Sequence, residues 1–405
     1  MRYLSAVVGP FIRFSQFNCW IILLTLWVLV CMVCIRLNYQ RDKNKFKKFI
    51  LTVVSLTIIL VFFFITDNLL LIYIIFEASL IPTFYLILSW GYQPERLQAG
   101  VYFMIYTIVA SLPLLICILI IKVSNFSLYM IVLDLVERKI FMPLSAFNTF
   151  WPLCILTAFL VKIPMWGVHI WLPKAHVEAP IRGSIILAGL LLKIGGYGMI
   201  KMLPFCFGFI VARFVNSINL WAVVIVSLVC MSLVDIKSLI AYTSVIHMAL
   251  ITLALINYSE IGRLGAILIM ICHGLTSPMI FRLAYINYKN THTRNLLIHK
   301  GINSNTTPLV FFWFLALAAN IRAPTSLNLV SEIIIRFALV KVTLIASLVV
   351  GIGTIMRGAY NLYLYSAILG DNKKVRAGLL NSEKLVITIK RIPTYGLFML
   401  INSIY

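Results

Sequence analysis

The chain has 405 residues, of which 62% are hydrophobic and only 11% are charged. Because globular domains carry roughly 45–50% apolar and about 25% charged residues, this composition excludes an ordinary soluble protein, a secreted disulfide scaffold and a disordered chain. The net charge of +22 does not indicate nucleic-acid binding, because the basic residues are scattered between apolar runs instead of forming one folded basic domain.

Apolar runs of the length of a membrane span recur from one end of the chain to the other. A crossing helix needs about 20 predominantly apolar residues. Runs that approach this length are 19–35, 50–66, 69–90, 101–121, 150–169, 181–202, 220–234, 238–256, 264–286, 308–339, 342–365 and 385–402. Two further runs, 2–17 and 205–215, are short and contain arginine, so each is an open case as a crossing. The predicted total is therefore about 11–13 helices. The predicted fold class is therefore an all-α integral membrane bundle, with residues 1–405 in a single polytopic domain.

Two features of the spans and loops refine this prediction. Run 308–339 is long for one crossing and contains Pro324, which predicts a helix broken inside the membrane. Loop 36–48 carries six basic residues and a single acid, so by the positive-inside rule it faces the compartment of synthesis. The sequence contains neither a hydrophilic domain nor a nucleotide-binding fingerprint, so a soluble cofactor has no predicted place in this chain.

Ionisable side chains lie deep inside several of the apolar runs. They are two acids, two lysines and two histidines: Glu77, Glu332, Lys162, Lys193, His247 and His273. A charge at this depth costs about 2.5–3.5 kcal/mol on insertion scales, and ionisable residues inside a membrane are functional by default. Prolines that free backbone groups accompany them, since Glu77 and His273 are each followed by a proline five residues later.

The chemistry that such a set supports is proton transfer. Burial favours the neutral form of an acid or a lysine, whereas a nearby opposite charge favours the charged form, so paired acids and lysines can exchange protons when their separation changes. Histidines can extend the relay. Lys162, His169 and His176 are spaced by seven residues and would lie roughly on one helix face, although their spacing is a weak metal-ligand signal. The alternatives are static salt bridges that only fix helix packing and, for His247, a structural hydrogen bond.

Several longer motifs resemble a known family when they are taken together. They are F-E-A-S-L-I-P at 76–82, W-G-Y-Q-P-E-R at 90–96, H-I-W-L-P-K-A-H-V-E-A-P at 169–180, D-I-K-S-L-I-A-Y-T-S at 235–244, H-G-L-T-S at 273–277 and N-L-V-S-E at 328–332. In this combination they resemble the subunit 4 family of mitochondrial NADH dehydrogenase, an antiporter-like subunit in the membrane arm of respiratory complex I. The resemblance covers most of residues 69–365, and the N-terminus looks two helices shorter than the family pattern.

The resemblance implies a particular arrangement of the helices. The family has two inverted five-helix repeats, each with one broken helix. We expect the first repeat at about 69–202, the second at about 216–365, and a C-terminal loop and last helix at 366–405.

The resemblance also implies a role for each buried ionisable residue. Glu77 and Lys162 would form the pair of the first half-channel, and Lys193 and His247 would lie on the central axis. His273 and Glu332 would continue this axis, with Glu332 on the second broken helix as the acid that passes protons outward. Lys237 matches a family position near the channel.

The resemblance further implies a setting for the protein. It predicts a multi-pass protein of the mitochondrial inner membrane that contacts lipids and other complex I membrane-arm subunits, including neighbouring antiporter-like subunits. Flavin, iron–sulfur clusters, NADH and ubiquinone are expected in partner subunits, and this chain is expected to bind no cofactor, metal or nucleic acid. Two alternatives stay open at this stage: a subunit of a multi-subunit cation/proton antiporter, and a membrane scaffold.

Arginines occupy positions where the family pattern or membrane physics favours a small residue. They are Arg182, Arg282, Arg322, Arg336 and Arg357. One interpretation is genuine extra charge, with Arg336 pairing with Glu332. The other is serine, because some animal mitochondria read AGA and AGG codons as serine. A serine in a membrane helix bonds to the preceding turn at little cost, which favours the second interpretation.

Overall fold

The computed structural model describes residues 5–7, 13–34, 43–91, 94–125, 127–130, 132, 150–206, 209–298, 307–324 and 326–369. A short antiparallel hairpin, β1 (Ser5–Val7) with β2 (Arg13–Ser15), precedes the first helix. The predicted last span 385–402, the rest of the chain beyond residue 369 and residues 36–42 of the basic loop lie outside the described ranges.

Helices account for almost all other regular structure in these ranges. They are α1 (Gln16–Cys34), α2 (Lys43–Ile65), α3 (Leu69–Ala78), α4 (Leu80–Trp90), α5 (Arg96–Asn125), α6 (Phe150–Lys162), α7 (Trp171–Glu178), α8 (Ile181–Ile186), α9 (Leu192–Met202), α10 (Phe209–Ser232), α11 (Ile236–Ile256), α12 (Glu260–Thr291), α13 (Thr307–Ile321), α14 (Leu327–Val340) and α15 (Leu344–Leu369). A π-helical turn, Leu187–Leu191, joins α8 to α9. Nine helical stretches of the described residues are long and apolar enough to cross a membrane. The all-α membrane bundle predicted from composition is confirmed.

Two of these stretches form the centre of the bundle. Ile181–Phe205, which contains α8 and α9, and Ile236–Ile256, which is α11, are each 94% buried. Outer spans such as Phe46–Ile65 and Arg96–Val123 are only 39% buried and present large apolar side chains outward. Since Lys193 and His247 lie on the central stretches, these two side chains are in the least exposed part of the described chain.

Two helices are interrupted inside the bundle. Helix α6 ends at Lys162, and the chain resumes as α7 at Trp171, whose indole Nε1 donates to the Val161 carbonyl across the gap at 2.9 Å. Helices α13 and α14 are separated near Pro324, where Asn328 donates to the Ala319 carbonyl at 2.8 Å. The second break confirms the prediction for run 308–339. In both cases a side chain from the second segment satisfies a carbonyl that the break leaves free.

The two short runs that were left open add no separate crossing helix within the described residues. Run 205–215 belongs mostly to α10, which begins at Phe209, well before the predicted span 220–234. Polar side chains in its first three turns are tolerated because they find partners: Asn219 donates to the Val215 carbonyl at 2.9 Å within the helix, and Asn216 donates to Asn257 Oδ1 at 2.7 Å. The described part of run 2–17 forms the β1–β2 hairpin and the start of α1.

Glycines on α9 let the first broken helix approach the centre. A Cβ atom added at Gly195 would lie 2.6 Å from Ile163 Cγ1, and one at Gly198 would collide with the ring of Phe159. Because Ile163 and Phe159 flank Lys162, this close approach of α6 to α9 brings Lys162 towards the helix that carries Lys193. The glycines are therefore required for packing.

We predict that Gly198→Ala destabilises the bundle, because the added methyl group must displace the Phe159 ring and overpacking costs about 1–3 kcal/mol. The matched control is Gly358→Ala, a helical glycine whose added Cβ would meet nothing within 4 Å. Thermal unfolding of the purified membrane protein should show a lower midpoint for the first variant only. Equal midpoints for both variants would contradict the packing argument.

Candidate functional site

The centre of the site is the Lys193 ammonium group. Lys193 is fully buried, and its Nζ donates to the Ala188 carbonyl at 2.7 Å and lies 3.1 Å from His273 Nδ1. Ala188 belongs to the π-helical turn, where the regular helix bonding pattern is shifted. The irregular turn thus provides a backbone acceptor for a charge that the apolar surroundings would otherwise disfavour.

Two histidines continue from Lys193 towards the second broken helix. The rings of His273 on α12 and His247 on α11 have centroids 5.2 Å apart. His247 Nε2 lies 2.9 Å from Asn320 Oδ1, and His247 Nδ1 lies 3.0 Å from Arg322 Nη2. Because the Asn320 amide oxygen only accepts, it selects a His247 that carries a proton on Nε2, whichever residue stands at position 322.

The series ends at the Glu332 carboxylate on α14. Its oxygens accept hydrogen bonds from Arg322 and from Arg336, the latter at 2.8 Å, and Arg357 lies 3.2 Å away. The predicted pairing of Arg336 with Glu332 is therefore present in the structure. Lys193, His273, His247 and Glu332, here called the central chain, come from four different helices and are each at most 3% exposed.

Two amide side chains that the sequence analysis did not single out support the central chain. Asn320 and Asn361 are buried, and Asn320 Nδ2 donates to Asn361 Oδ1 at 3.0 Å. Asn361 Nδ2 in turn donates to the Arg357 carbonyl at 2.9 Å. The two amides hold the Asn320 oxygen towards His247. The sequence does show both as uncharged polar residues inside mainly apolar runs, Asn320 in 308–339 and Asn361 in 342–365.

Glu77 and Lys162 are not joined by a hydrogen bond. Lys162 is 1% exposed, and its Nζ lies between the rings of Phe76, at 4.9 Å from the centroid, and Phe103, at 5.1 Å. Neither Lys162 Nζ nor Glu77 Oε1 has a hydrogen-bond partner within the described residues, although both atoms are buried. Aromatic faces therefore stabilise the ammonium group without fixing it to a single acceptor.

His176 lies on the second segment of the first broken helix. It is fully buried on α7, its ring stacks on Phe281 with centroids 5.0 Å apart, and neither ring nitrogen has a hydrogen-bond partner in the described part of the chain. Its principal charged neighbours are Lys237 and Lys193. The sequence signals for this position were its place in the motif at 169–180 and the seven-residue spacing of Lys162, His169 and His176.

Lys237 has a different position from the central chain. Its Nζ donates to the carbonyls of Val177 at 2.8 Å and Ala179 at 2.7 Å, so it caps the C-terminal end of α7. A cation is favoured there, since the last carbonyls of a helix lack partners within it. Lys237 thereby fixes the segment that carries His176.

The fold and this site define an antiporter-like membrane subunit. A family model described as "NADH:quinone oxidoreductase/Mrp antiporter, TM" matches residues 66–357. A chain of respiratory complex I from Thermus thermophilus has a TM-score of 0.84 at 19% identity, with 99% of this chain and 85% of that chain covered. A chain of the Mrp complex from Dietzia sp. DQ12-45-1b has a TM-score of 0.78 at 16% identity, with 90% and 68% covered. At such identities these two structures establish the fold alone.

Curated relatives identify the family more closely. NADH-ubiquinone oxidoreductase chain 4 of Lumbricus terrestris is 43% identical over 85% of this chain and 76% of its own length. The proteins of the same name from Ceratitis capitata and Polypterus ornatipinnis are each 40% identical, over 89% and 85% of this chain and 79% and 75% of their own lengths. The chain belongs to the NADH-ubiquinone oxidoreductase chain 4 family.

The arginines around Glu332 are an unfavourable group for a membrane interior. Three guanidinium groups surround one carboxylate, and the Arg322 and Arg357 side chains are at most 1% exposed. Buried nitrogens of all three arginines, including Arg357 Nη2, have no hydrogen-bond partner among the described residues. An uncompensated buried charge and unsatisfied donors both destabilise a fold. Serine at these positions would leave no surplus buried cation and no unsatisfied guanidinium nitrogen, and at 336 and 357, which lie inside α14 and α15, its hydroxyl would bond to the preceding turn.

We therefore predict that the mature protein contains serine at positions 322, 336 and 357, encoded by AGA or AGG. Peptide mass spectrometry after trypsin and chymotrypsin digestion checks this, because trypsin does not cleave after serine and the peptide masses distinguish the two residues. Tryptic cleavage after any of these three positions would establish arginine there. Cleavage after Arg263, whose guanidinium is partly exposed next to Glu260, is the internal control.

Proposed function

We propose that this chain translocates protons as an antiporter-like subunit of NADH:ubiquinone oxidoreductase, respiratory complex I, in the mitochondrial inner membrane. The observation that carries the proposal is the contact among three buried titratable groups, Lys193, His273 and His247, with the buried Glu332 carboxylate beyond the side chain at position 322. The names of the relatives support the assignment to this enzyme. NADH, flavin, iron–sulfur clusters and ubiquinone are assigned to partner subunits, and the outer faces of this chain to lipids and neighbouring membrane-arm subunits.

A repeated backbone pattern supports the proposal of two repeats. Before α3, Leu69 N donates to the Leu128 carbonyl and Met130 N to the Asp67 carbonyl, both at 3.0 Å. Before α11 the same pattern recurs: Ile236 N donates to the Arg294 carbonyl at 3.1 Å, and Leu296 N donates to the Val234 carbonyl at 2.8 Å. In each case the start of one span pairs with the segment that follows the next span. This recurrence supports the proposal that the two halves are built alike.

The number of crossings indicates that the repeats are inverted. The first repeat would run from α2 to α9 and the second from α10 to α15, and each contains five crossings if a broken helix counts as one. Because five is odd, the second repeat starts from the opposite side of the membrane. In this count α3 and α4 form one span, Leu69–Trp90, and α8 and α9 form another, Ile181–Phe205. In both repeats the fourth crossing is then the broken helix, α6–α7 or α13–α14. These repeats, 43–202 and 209–369, begin earlier than the ones expected from the sequence.

In the proposed mechanism Glu77 and Lys162 load protons into the first half. Because neither Lys162 Nζ nor Glu77 Oε1 has a hydrogen-bond partner among the described residues, a small movement can pair or separate the two groups. Pairing favours the charged form of both groups, and separation in an apolar site favours the neutral form of both. On separation Lys162 releases its proton, which can reach Lys193 by way of the nearby His176, and Glu77 takes up another proton; when the pair re-forms, that proton passes from Glu77 to Lys162.

The central chain then carries the proton towards Glu332. The Lys193 ammonium group donates to His273 Nδ1, so a proton placed on Lys193 can pass to the imidazole ring. His247 is held in one tautomer and can accept and release a proton through its two nitrogens. Moving a charge against 100 mV costs about 2.3 kcal/mol, so the transfers depend on energy from redox chemistry in partner subunits.

We predict that Lys193→Met abolishes most proton pumping by the assembled complex, with a loss on the order of tenfold or more. Methionine fills a similar volume but cannot donate to His273. Coupled NADH oxidation and acidification should be measured together in proteoliposomes. The control is Lys122→Met, which removes an exposed lysine at the end of α5. Full pumping by a well-assembled Lys193→Met complex would leave only a scaffold role for this chain.

We also predict that the chain migrates with a large NADH-oxidising assembly in native electrophoresis. This result separates the proposed function from that of a multi-subunit cation/proton antiporter, which the shared fold also allows. In-gel NADH oxidation followed by mass spectrometry of the stained band checks it. Recovery of the chain in a smaller assembly with sodium-dependent proton flux would favour the antiporter.

A further inference from the structure

One face of α9 carries a lysine at each end and an aromatic residue between them. Lys193, Tyr197 and Lys201 are spaced by four residues, so they lie on the same face over about 12 Å. Lys193 lies near the middle of its span, and Lys201 lies at its end. Lys201 is partly exposed and forms a salt bridge with Asp67 at 3.0 Å, while the Asp67 side chain is fully buried.

The Asp67–Lys201 pair is on the side of the membrane opposite to the basic loop. Helix α2 begins within that basic segment, at Lys43, crosses the membrane once and ends at Ile65. Asp67 follows two residues later. By the positive-inside rule, Asp67 and Lys201 therefore face away from the compartment of synthesis. In the proposed enzyme this is the side on which protons accumulate. A direct route from Asp67 to Lys193 would let them flow back.

Four aromatic rings fill the space at Tyr197. The Tyr197 ring contacts Phe64, Phe63 and Phe17, with centroids 5.2, 5.6 and 5.7 Å away. Tyr197, Phe63 and Phe64 are each at most 1% exposed. The Tyr197 hydroxyl donates to the Phe64 carbonyl at 2.9 Å, which anchors the ring to the end of α2. Lys201 Nζ lies on the far side, 5.7 Å from the Tyr197 ring centroid.

We infer that Phe17, Phe63, Phe64 and Tyr197 form a seal that prevents Lys193 from exchanging protons with the Asp67–Lys201 pair. Aromatic rings in mutual contact provide no titratable group, and the one hydroxyl among them is already bonded to a carbonyl. Polar groups stand on both sides of the seal: Lys193 on one side, and Asp67, whose buried Oδ2 has no partner among the described residues, on the other. The seal directs a proton on Lys193 to His273. This inference rests on the proposed function, because it assigns the direction of transfer from Lys193.

The test is passive proton permeability of proteoliposomes that contain the assembled complex, measured without NADH under an imposed pH difference. Phe64→Ala removes a ring from the seal and opens a cavity between polar groups, which water can then occupy. We expect a severalfold faster collapse of the pH difference and a lower ratio of protons pumped to NADH oxidised. Phe49→Ala, which removes a buried ring at the other end of α2, should leave permeability at the wild-type level.

Second-site variants identify the route of the leak. Asp67→Asn or Lys193→Met, each combined with Phe64→Ala, should return permeability towards the wild-type value, because the route needs a proton carrier on both sides of the seal. Tyr197→Phe keeps the ring and should not leak. Unchanged permeability in an assembled Phe64→Ala complex, or in Phe17→Ala if the first variant does not assemble, would overturn the seal. This readout does not depend on pumping, so it is separate from a failure of the proposed function in Lys193→Met.

Discussion

The high free energy of an uncompensated charge in an apolar interior governs how this chain is built. Each buried lysine of the site meets an acceptor or an aromatic face: Lys193 the Ala188 carbonyl, Lys237 two carbonyls at the end of α7, and Lys162 two aromatic rings. Those carbonyls become available where the helices are irregular, at the π-helical turn and at the end of a broken segment. The irregular backbone and the titratable side chains therefore depend on each other.

The sequence alone was sufficient to identify the features that follow from the cost of a buried charge. A charge in an apolar run is rare enough to be noticed one residue at a time, so Lys193, His247, His273 and Glu332 could be identified without coordinates, and the structure brings them together. The break near Pro324 was predicted for a similar reason, because proline leaves a helix without a hydrogen bond. Span boundaries were predicted less well. Helix α10 begins at Phe209, and polar side chains in its first three turns find hydrogen-bond partners there, which hydropathy alone does not reveal.

Contacts between helices could not be read from the sequence. Glu77 and Lys162 were expected to form a pair, and Glu77 is a charged neighbour of Lys162, but the rings of Phe76 and Phe103 lie against the lysine Nζ in place of a hydrogen bond. Nothing in the pattern of charges indicates which aromatic residues reach it. The Asn320–Asn361 pair was missed because neutral amides do not stand out from an apolar run as charges do. The role of each glycine on α9 likewise depends on which side chain faces it.

The placement of the central chain bears on how work against the membrane potential is divided. Lys193, His247 and His273 each lie near the middle of their spans, and Glu332 follows the break in the middle of its own. Transfers among them therefore run mainly in the plane of the membrane and cross little of the potential. Under the proposed function, most of the electrical work falls on entry and exit, where a proton must travel between the midplane and one surface. A lateral path of this kind conserves energy only if every carrier is closed to one side. For that reason, packing of uncharged side chains beside Lys193 is as necessary as the titratable groups themselves.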